Sequence, residues 1–137
     1  MYHRDYILRM VEMVEQLIAA IISKLRKGET NMASEQLGNI YQDVFRRDAL
    51  YLRSSDEMNV TGILNSHKYN NVYLEILADL YNADAEINET IGDKAGAIKY
   101  LKNSLRIYEF LDNETKTYSL ERINKMESIR KRIDSNT

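Results

Sequence analysis

The sequence predicts an all-α fold of five or six helices arranged as antiparallel hairpins. The 137 residues contain no proline and only five glycines, so few residues interrupt a helix. Apolar residues recur at three- and four-residue spacing, and no segment alternates with the period of two that is typical of a half-buried strand. A helix-turn-helix pattern also occurs twice at an offset of 64 residues, where Gly28, Ala33, Leu37 and Ile40 match Gly92, Ala97, Leu101 and Ser104.

The first hairpin is predicted over residues 5–47. Its first helix, from about residue 5 to residue 27, carries an apolar stripe in alternating four- and three-residue steps, formed by Ile7, Val11, Val14, Ile18, Ile21 and Leu25. This stripe is widened by Met10, Leu17 and Ile22 beyond what one partner helix needs. It therefore predicts either a helix central to a bundle or a self-association seam. Gly28 ends this helix, and the second helix follows to about residue 47.

The rest of the single predicted domain, residues 1–137, contains a connection, a second hairpin and a last helix. Residues 48–70 are predicted as an irregular connection with one short helix, which the Ser54-x-x-Glu57 pattern would cap. The second hairpin spans residues 71–111, with its turn at Gly92. The last helix covers residues 119–133, and we interpret its basic side as a solvated face, formed by Arg122, Lys125, Arg130, Lys131 and Arg132.

Composition excludes several classes of function. The formal net charge is −2, which argues against a general nucleic-acid binder. The chain has no cysteine, so disulfides, thiol catalysis and cysteine metal sites are excluded. The apolar run near the start is interrupted by Glu12, Glu15 and Gln16, so it fits neither a secretory signal nor a membrane span. We expect a cytoplasmic protein that binds neither nucleic acid nor membrane.

No group of residues indicates catalysis. The two histidines, His3 and His67, lie outside any His-Glu-x-x-His or Glu-x-x-His pattern, and no Gly-x-Ser-x-Gly motif or phosphate-binding glycine loop occurs. We therefore predict no catalytic, cofactor-binding or metal-binding residue, and we expect that the protein is not an enzyme. Asp79, Glu86 and Glu89 are residue types that can bind a cation, but a solvated acidic helix face is the interpretation we favour.

The second hairpin resembles a tetratricopeptide repeat. A Gly92-Asp93 turn leads into a helix with small residues at Ala97 and Ser104, while Tyr81 and Ala85 stand where that family carries an aromatic and a small residue. Asp84 stands where the family carries a leucine. Nearly the whole chain, through residues 4–10, residues 77–80 and the helix after Gly92, is similar to a small bacterial family of unknown function with a tetratricopeptide-like helical fold. The resemblance implies a fold and no activity.

These observations favour a non-catalytic helical protein–protein interaction module, an adaptor or a regulator. In the family that the chain resembles, the first helix of each hairpin lines the binding surface. The corresponding face here carries Asp79, Asn82, Glu86 and Glu89, so we expect a partner that presents lysine or arginine. Two alternatives remain: a structural homo-oligomer, most simply a dimer, that uses the apolar stripe of the first helix, and a helical protein that binds a small ligand.

Overall fold

A computed structural model of the protein describes residues 2–115 and 119–137, with side chains from residue 9 onward. Within these ranges the chain forms six helices of ten residues or more and one helix of five, and it contains no strand. The helices are α1 (Tyr2–Arg26), α2 (Thr30–Phe45), α3 (Ala49–Arg53), α4 (Glu57–Ser66), α5 (Asn71–Ile91), α6 (Lys94–Thr115) and α7 (Leu120–Asn136). The prediction of an all-α fold is confirmed.

The two predicted hairpins end their first helices in the same way. Gly28 and Gly92 both adopt the left-handed conformation, with φ of 87° and 83°, which glycine reaches without steric cost. After α1, the amides of Gly28 and Glu29 donate to the carbonyls of Leu25 and Lys24. After α5, the amides of Gly92 and Asp93 donate to the carbonyls of Glu89 and Asn88. Each turn is a Schellman motif, so both glycines stop their helices as predicted.

Helix α5 lies at the centre of the fold. It packs against α1, α2 and α6, and α6 packs in turn against α4 and α7. More than half of α5 is buried, and its buried side chains are Leu74, Ile76, Leu77, Ala78, Asp79, Leu80, Tyr81, Ala83, Asp84, Ala85 and Ile87. Ala33 on α2 and Ala97 on α6, the matched small residues of the two hairpins, are both fully buried. Small side chains at these positions allow close approach of the packed helices.

Residues 48–70 contain more helix than the sequence predicts. They form α3 and α4, and a turn of 3-10 helix, Arg46–Asp48, leads into α3. The predicted capping box at Ser54 is wrong, because the hydroxyl of Ser54 donates to the carbonyl of Leu50 on α3. Asp56 caps α4 instead: its side chain accepts from the amide of Asn59, and the side chain of Asn59 accepts from the amide of Asp56. Asp56 and Asn59 therefore form the capping box of α4, in place of the predicted Ser54 and Glu57.

Candidate functional site

The face of α5 that the sequence predicts to be solvent-exposed is largely covered by α7. Asp79 is only 8% exposed, and its Oδ1 accepts a hydrogen bond from the hydroxyl of Tyr108 and contacts Nζ of Lys125 at 3.0 Å. Arg132 contacts Glu89 at 2.7 Å and donates a second hydrogen bond to the side chain of Asn82. The predictions of a free acidic face on α5 and of a solvated basic face on the last helix are therefore wrong at these positions. The acidic side chains of α5 and the basic side chains of α7 instead contact each other.

Glu86 differs from the other three residues of that face. It is half-buried, and no ion pair among the described residues holds its carboxylate. It lies at one end of a groove whose floor is α5 and whose walls are α1 and α7. Of the four residues in the predicted binding face, Glu86, Asn82 and Asp79 line this groove, and Glu89 does not.

The groove consists of two adjoining cavities of about 190 and 330 Å³ that share Glu15. The first lies over the middle of α5 and the second over its beginning. Apolar side chains of α1 and α5 line part of both cavities, including Ile18, Ile22 and Val72. Its ionisable lining is six carboxyl groups and one ammonium group, on Glu12, Glu15, Glu75, Asp79, Glu86, Glu121 and Lys125. We call this feature the acidic groove.

The carboxyl groups of the acidic groove lie close enough to disfavour each other's charge. Burial raises the pKa of Glu15, and the neighbouring carboxyls of Asp79 and Glu121 raise it further, against the opposing effect of Lys125. Burial also raises the pKa of Glu75, with a contribution from Asp79, although Arg122 opposes it from 3.4 Å. The groove therefore holds more negative charge than its own cations neutralise.

Lys125 is the cation that enters the groove. Burial disfavours its charged form, but the carboxyls of Asp79, Glu15 and Glu121 together outweigh this effect and the pKa of Lys125 is raised. Its Nζ also lies 3.4 Å from Oε1 of Glu121. Even so, Oδ2 of Asp79 is buried and receives no hydrogen bond from any residue that the structure describes. A buried carboxylate oxygen without a donor is costly, so Asp79 adds uncompensated negative charge beside the groove.

A second polar cluster, between α2, α3, α5 and α6, has a different character. Arg53 donates to both carboxylate oxygens of Asp84 at 2.8 and 3.1 Å and to the backbone and hydroxyl oxygens of Ser34. Tyr41 donates to Asp84 at 2.8 Å, and Tyr100 donates to the carbonyl of Arg53 at 2.7 Å. A cavity of about 310 Å³ adjoins the cluster, but its charged groups already bind each other. We interpret it as structural.

Most of the apolar stripe that the sequence offers as a self-association seam is used inside the protein. Val14, Ile21 and Leu25 are at most 4% exposed, and Val11 and Ile18 are partly buried against the same core. The prediction that this stripe faces a second chain is wrong for the three buried residues. Ile7 lies outside the described side chains. Among the described side chains of α1, the large apolar ones that are exposed are instead Met13 and Leu17, at 55% and 46%.

Sequence reasoning found three of the groove residues and missed the others. Glu75, Asp79, Asn82 and Glu86 follow one stripe of α5 in steps of four, three and four, so the helical period places them together. In the sequence, Glu12 and Glu15 stand out only as interruptions of an apolar run. No sequence pattern relates them to Glu121, which is more than a hundred residues away. These residues come together only because α1 and α6 pack on α5 and α7 packs on α6.

The comparisons with known proteins return nothing to set beside this site. No family model, no curated protein and no solved structure matches the chain. In the described ranges, no three histidine, aspartate or glutamate side chains are grouped so that they could hold a metal ion. No helix in those ranges combines the length and the apolar character needed to cross a membrane.

Proposed function

We propose that the protein is a non-catalytic helical protein–protein interaction module, and that the acidic groove is where its partner binds. The observation that carries the proposal is the groove of two adjoining cavities between α1, α5 and α7, with apolar and carboxylate side chains interspersed along it. Asn71 and Glu86, at its two ends, are fifteen positions apart on one helix, which corresponds to about 22 Å. That length suits a segment of polypeptide better than a small metabolite.

The packing around the groove supports a preformed binding surface. The floor is the most buried helix of the fold, and the wall formed by α7 is held to it by Lys125 on Asp79 and Arg132 on Glu89. A groove on rigid helices binds without a large ordering cost, because its side chains are already positioned. The likeness to tetratricopeptide hairpins agrees with this use of the surface, since the first helix of each hairpin forms the groove.

Two neighbouring alanines of α1 allow a matched test. Ala19 is exposed and lines the groove, whereas Ala20 is exposed and lies outside its lining. Ala19→Trp should fill the groove, and Ala20→Trp should add the same bulk beside it. We expect that a partner captured by the native protein, then purified, binds Ala19→Trp at least tenfold more weakly and Ala20→Trp with unchanged affinity. Equal binding to both variants would exclude the groove as the binding site.

A structural homo-oligomer is the second candidate, favoured by one observation. Met13 and Leu17 are exposed apolar side chains four positions apart, so they share one side of α1. We propose that a dimer would use these residues and not the buried stripe. Light scattering at high micromolar concentration tests it: a dimer that Met13→Glu/Leu17→Glu converts to monomer supports the proposal, and a monomeric native protein refutes it.

A further inference from the structure

We infer that the acidic groove binds an extended segment of another protein in which basic side chains stand at alternate positions, a Lys-x-Lys-x-Lys pattern. The inference rests on the proposed function and adds the chemistry and the conformation of the partner. Two independent features lead to it. One is the excess of carboxylates over cations in the groove lining, and the other is the buried oxygen of Asp79 that no described donor reaches.

The charge of the groove determines the sign of the partner. Among the lining residues, six carboxyl groups face one ammonium group. Glu15 and Glu121, from α1 and α7, approach closely enough that a hydrogen bond between their carboxyls contributes to the raised pKa of Glu15. A cation placed between them would relieve this repulsion, whereas an anionic segment would increase it. The partner therefore has to be basic.

Lys125 shows which cation fits. Its primary ammonium already occupies part of the site, 3.0 Å from Oδ1 of Asp79 and 3.4 Å from Oε1 of Glu121. The groove lining offers two further carboxyls, those of Glu15 and Glu86, which no ion pair among the described residues holds. An ammonium or guanidinium group from a partner would contact these carboxylates from the groove. Apolar side chains such as Ile18 and Ile22 would pack against its aliphatic stem.

The spacing of the carboxylates favours an extended segment. Glu75 and Asp79 are one turn apart along α5, about 6 Å, and Glu86 lies about 10 Å further. Alternate side chains on one edge of an extended chain are about 6.6 Å apart, which matches the step from Glu75 to Asp79. A third basic residue then stands about 13 Å from the first, about 3 Å short of Glu86, and a flexible lysine side chain spans that difference.

The experiment measures fluorescence anisotropy of labelled heptapeptides on the full chain. The probes are Gly-Lys-Ala-Lys-Ala-Lys-Gly, its glutamate counterpart, and a peptide of the same composition with three consecutive lysines. We expect the alternating lysine peptide to bind, the glutamate peptide not to bind, and the block peptide to bind at least threefold more weakly. Affinity for the alternating peptide should also fall as salt rises from about 50 to about 200 mM, because exposed charge pairs are screened.

A matched pair of variants locates the binding. Glu15→Gln/Glu121→Gln removes two groove carboxylates, and Glu29→Gln/Glu127→Gln removes two exposed carboxylates outside the groove, so both variants have the same net charge. We expect at least a tenfold loss of affinity in the first and less than twofold in the second, with both melting temperatures confirming folded protein. Equal affinity in the two variants overturns the inference.

Further outcomes separate this inference from the proposed function. Equal binding of the alternating and the block peptide refutes the extended register. Spermidine that competes with the peptide at equal concentration identifies a small amine as the ligand and overturns a protein segment. A captured partner that Ala19→Trp releases, but whose binding segment is not basic, leaves the proposed function standing and refutes the inference. A partner that Ala19→Trp does not release refutes both.

Discussion

Replacing Arg53 with methionine should destabilise the fold by removing the cation that contacts the buried carboxylate of Asp84. Asp84 has a side chain that is 6% exposed, and Arg53 donates to both of its oxygens. Methionine keeps most of the apolar stem of arginine, but it is shorter and has no donor. The variant leaves Asp84 with one hydrogen bond, from the hydroxyl of Tyr41, and it leaves the Ser34 oxygens without the guanidinium.

The expected loss is about 3 kcal/mol in the free energy of unfolding. Breaking a buried ion pair by removing one partner costs roughly 3–5 kcal/mol. The lower end applies because the side chain of Arg53 is still 23% exposed, so water partly solvates the pair. For a domain of this size the melting temperature should fall by about 10 °C. Urea unfolding followed by circular dichroism at about pH 7 measures the loss directly.

A second substitution and a change of pH test the reason for the loss. Asp84→Asn in the Arg53→Met background removes the uncompensated charge, so it should recover part of the stability. Burial already raises the pKa of Asp84 above its ordinary value of 3.8, and loss of Arg53 should raise it further. A raised carboxyl pKa gives stability that is complete at low pH and lost as pH rises, so the variant should approach the native protein below about pH 4. A loss of stability under about 1 kcal/mol at pH 7, or no recovery in the double variant, would show that the unpaired charge of Asp84 is not the cause.

Three further outcomes follow from the packing, the capping and the electrostatics. Ala97→Leu should cost about 1–3 kcal/mol because Ala97 is fully buried, and Ala95→Leu, on the exposed side of the same helix, should be neutral in urea unfolding. Asp56→Ala should cost about 1 kcal/mol through the lost cap of α4, whereas Ser54→Ala should change little; the reverse order would restore the sequence-based cap. Glu15→Gln should raise the melting temperature at about pH 7, since burial and neighbouring carboxyls raise the pKa of Glu15 above 4.5. That gain should shrink as pH falls to about 4.5, because the stability contributed by a raised carboxyl pKa is complete below its unfolded value, and a gain that stays constant with pH would contradict the raised pKa.

The parts of the fold that could be predicted from the sequence depend on neighbours along the chain. A helix has a fixed period, so the stripe through Val14, Ile21 and Leu25 was assigned to a buried face correctly, although the question of which helix it faces stayed open. Gly28 and Gly92 were assigned as helix stops because few other residues adopt the left-handed conformation that a Schellman turn requires.

The parts that could not be predicted depend on contacts between distant segments. Asp84 stands in a core position, and its presence there makes physical sense only with Arg53, which lies 31 residues earlier. The helical period also placed Asp79 and Glu89 on one face correctly, but it gave no sign that α7 would cover that face with Lys125 and Arg132. A sequence pattern shows which residues share one face of a helix, but it does not show which element packs against that face.

A titration followed by nitrogen–proton correlation spectra can show directly whether the acidic groove is the binding site. The alternating lysine heptapeptide is added to uniformly labelled protein, and amide shifts are followed residue by residue. If the acidic groove is the binding site, the largest changes should fall on Glu15, Asp79 and Glu121 and on their neighbours in α1, α5 and α7. The most exposed apolar side chains elsewhere, Leu50 and Met58, offer the competing surface at 80% and 83% exposure. If the largest changes fall at those residues and none fall in the groove, the acidic groove is not the binding site.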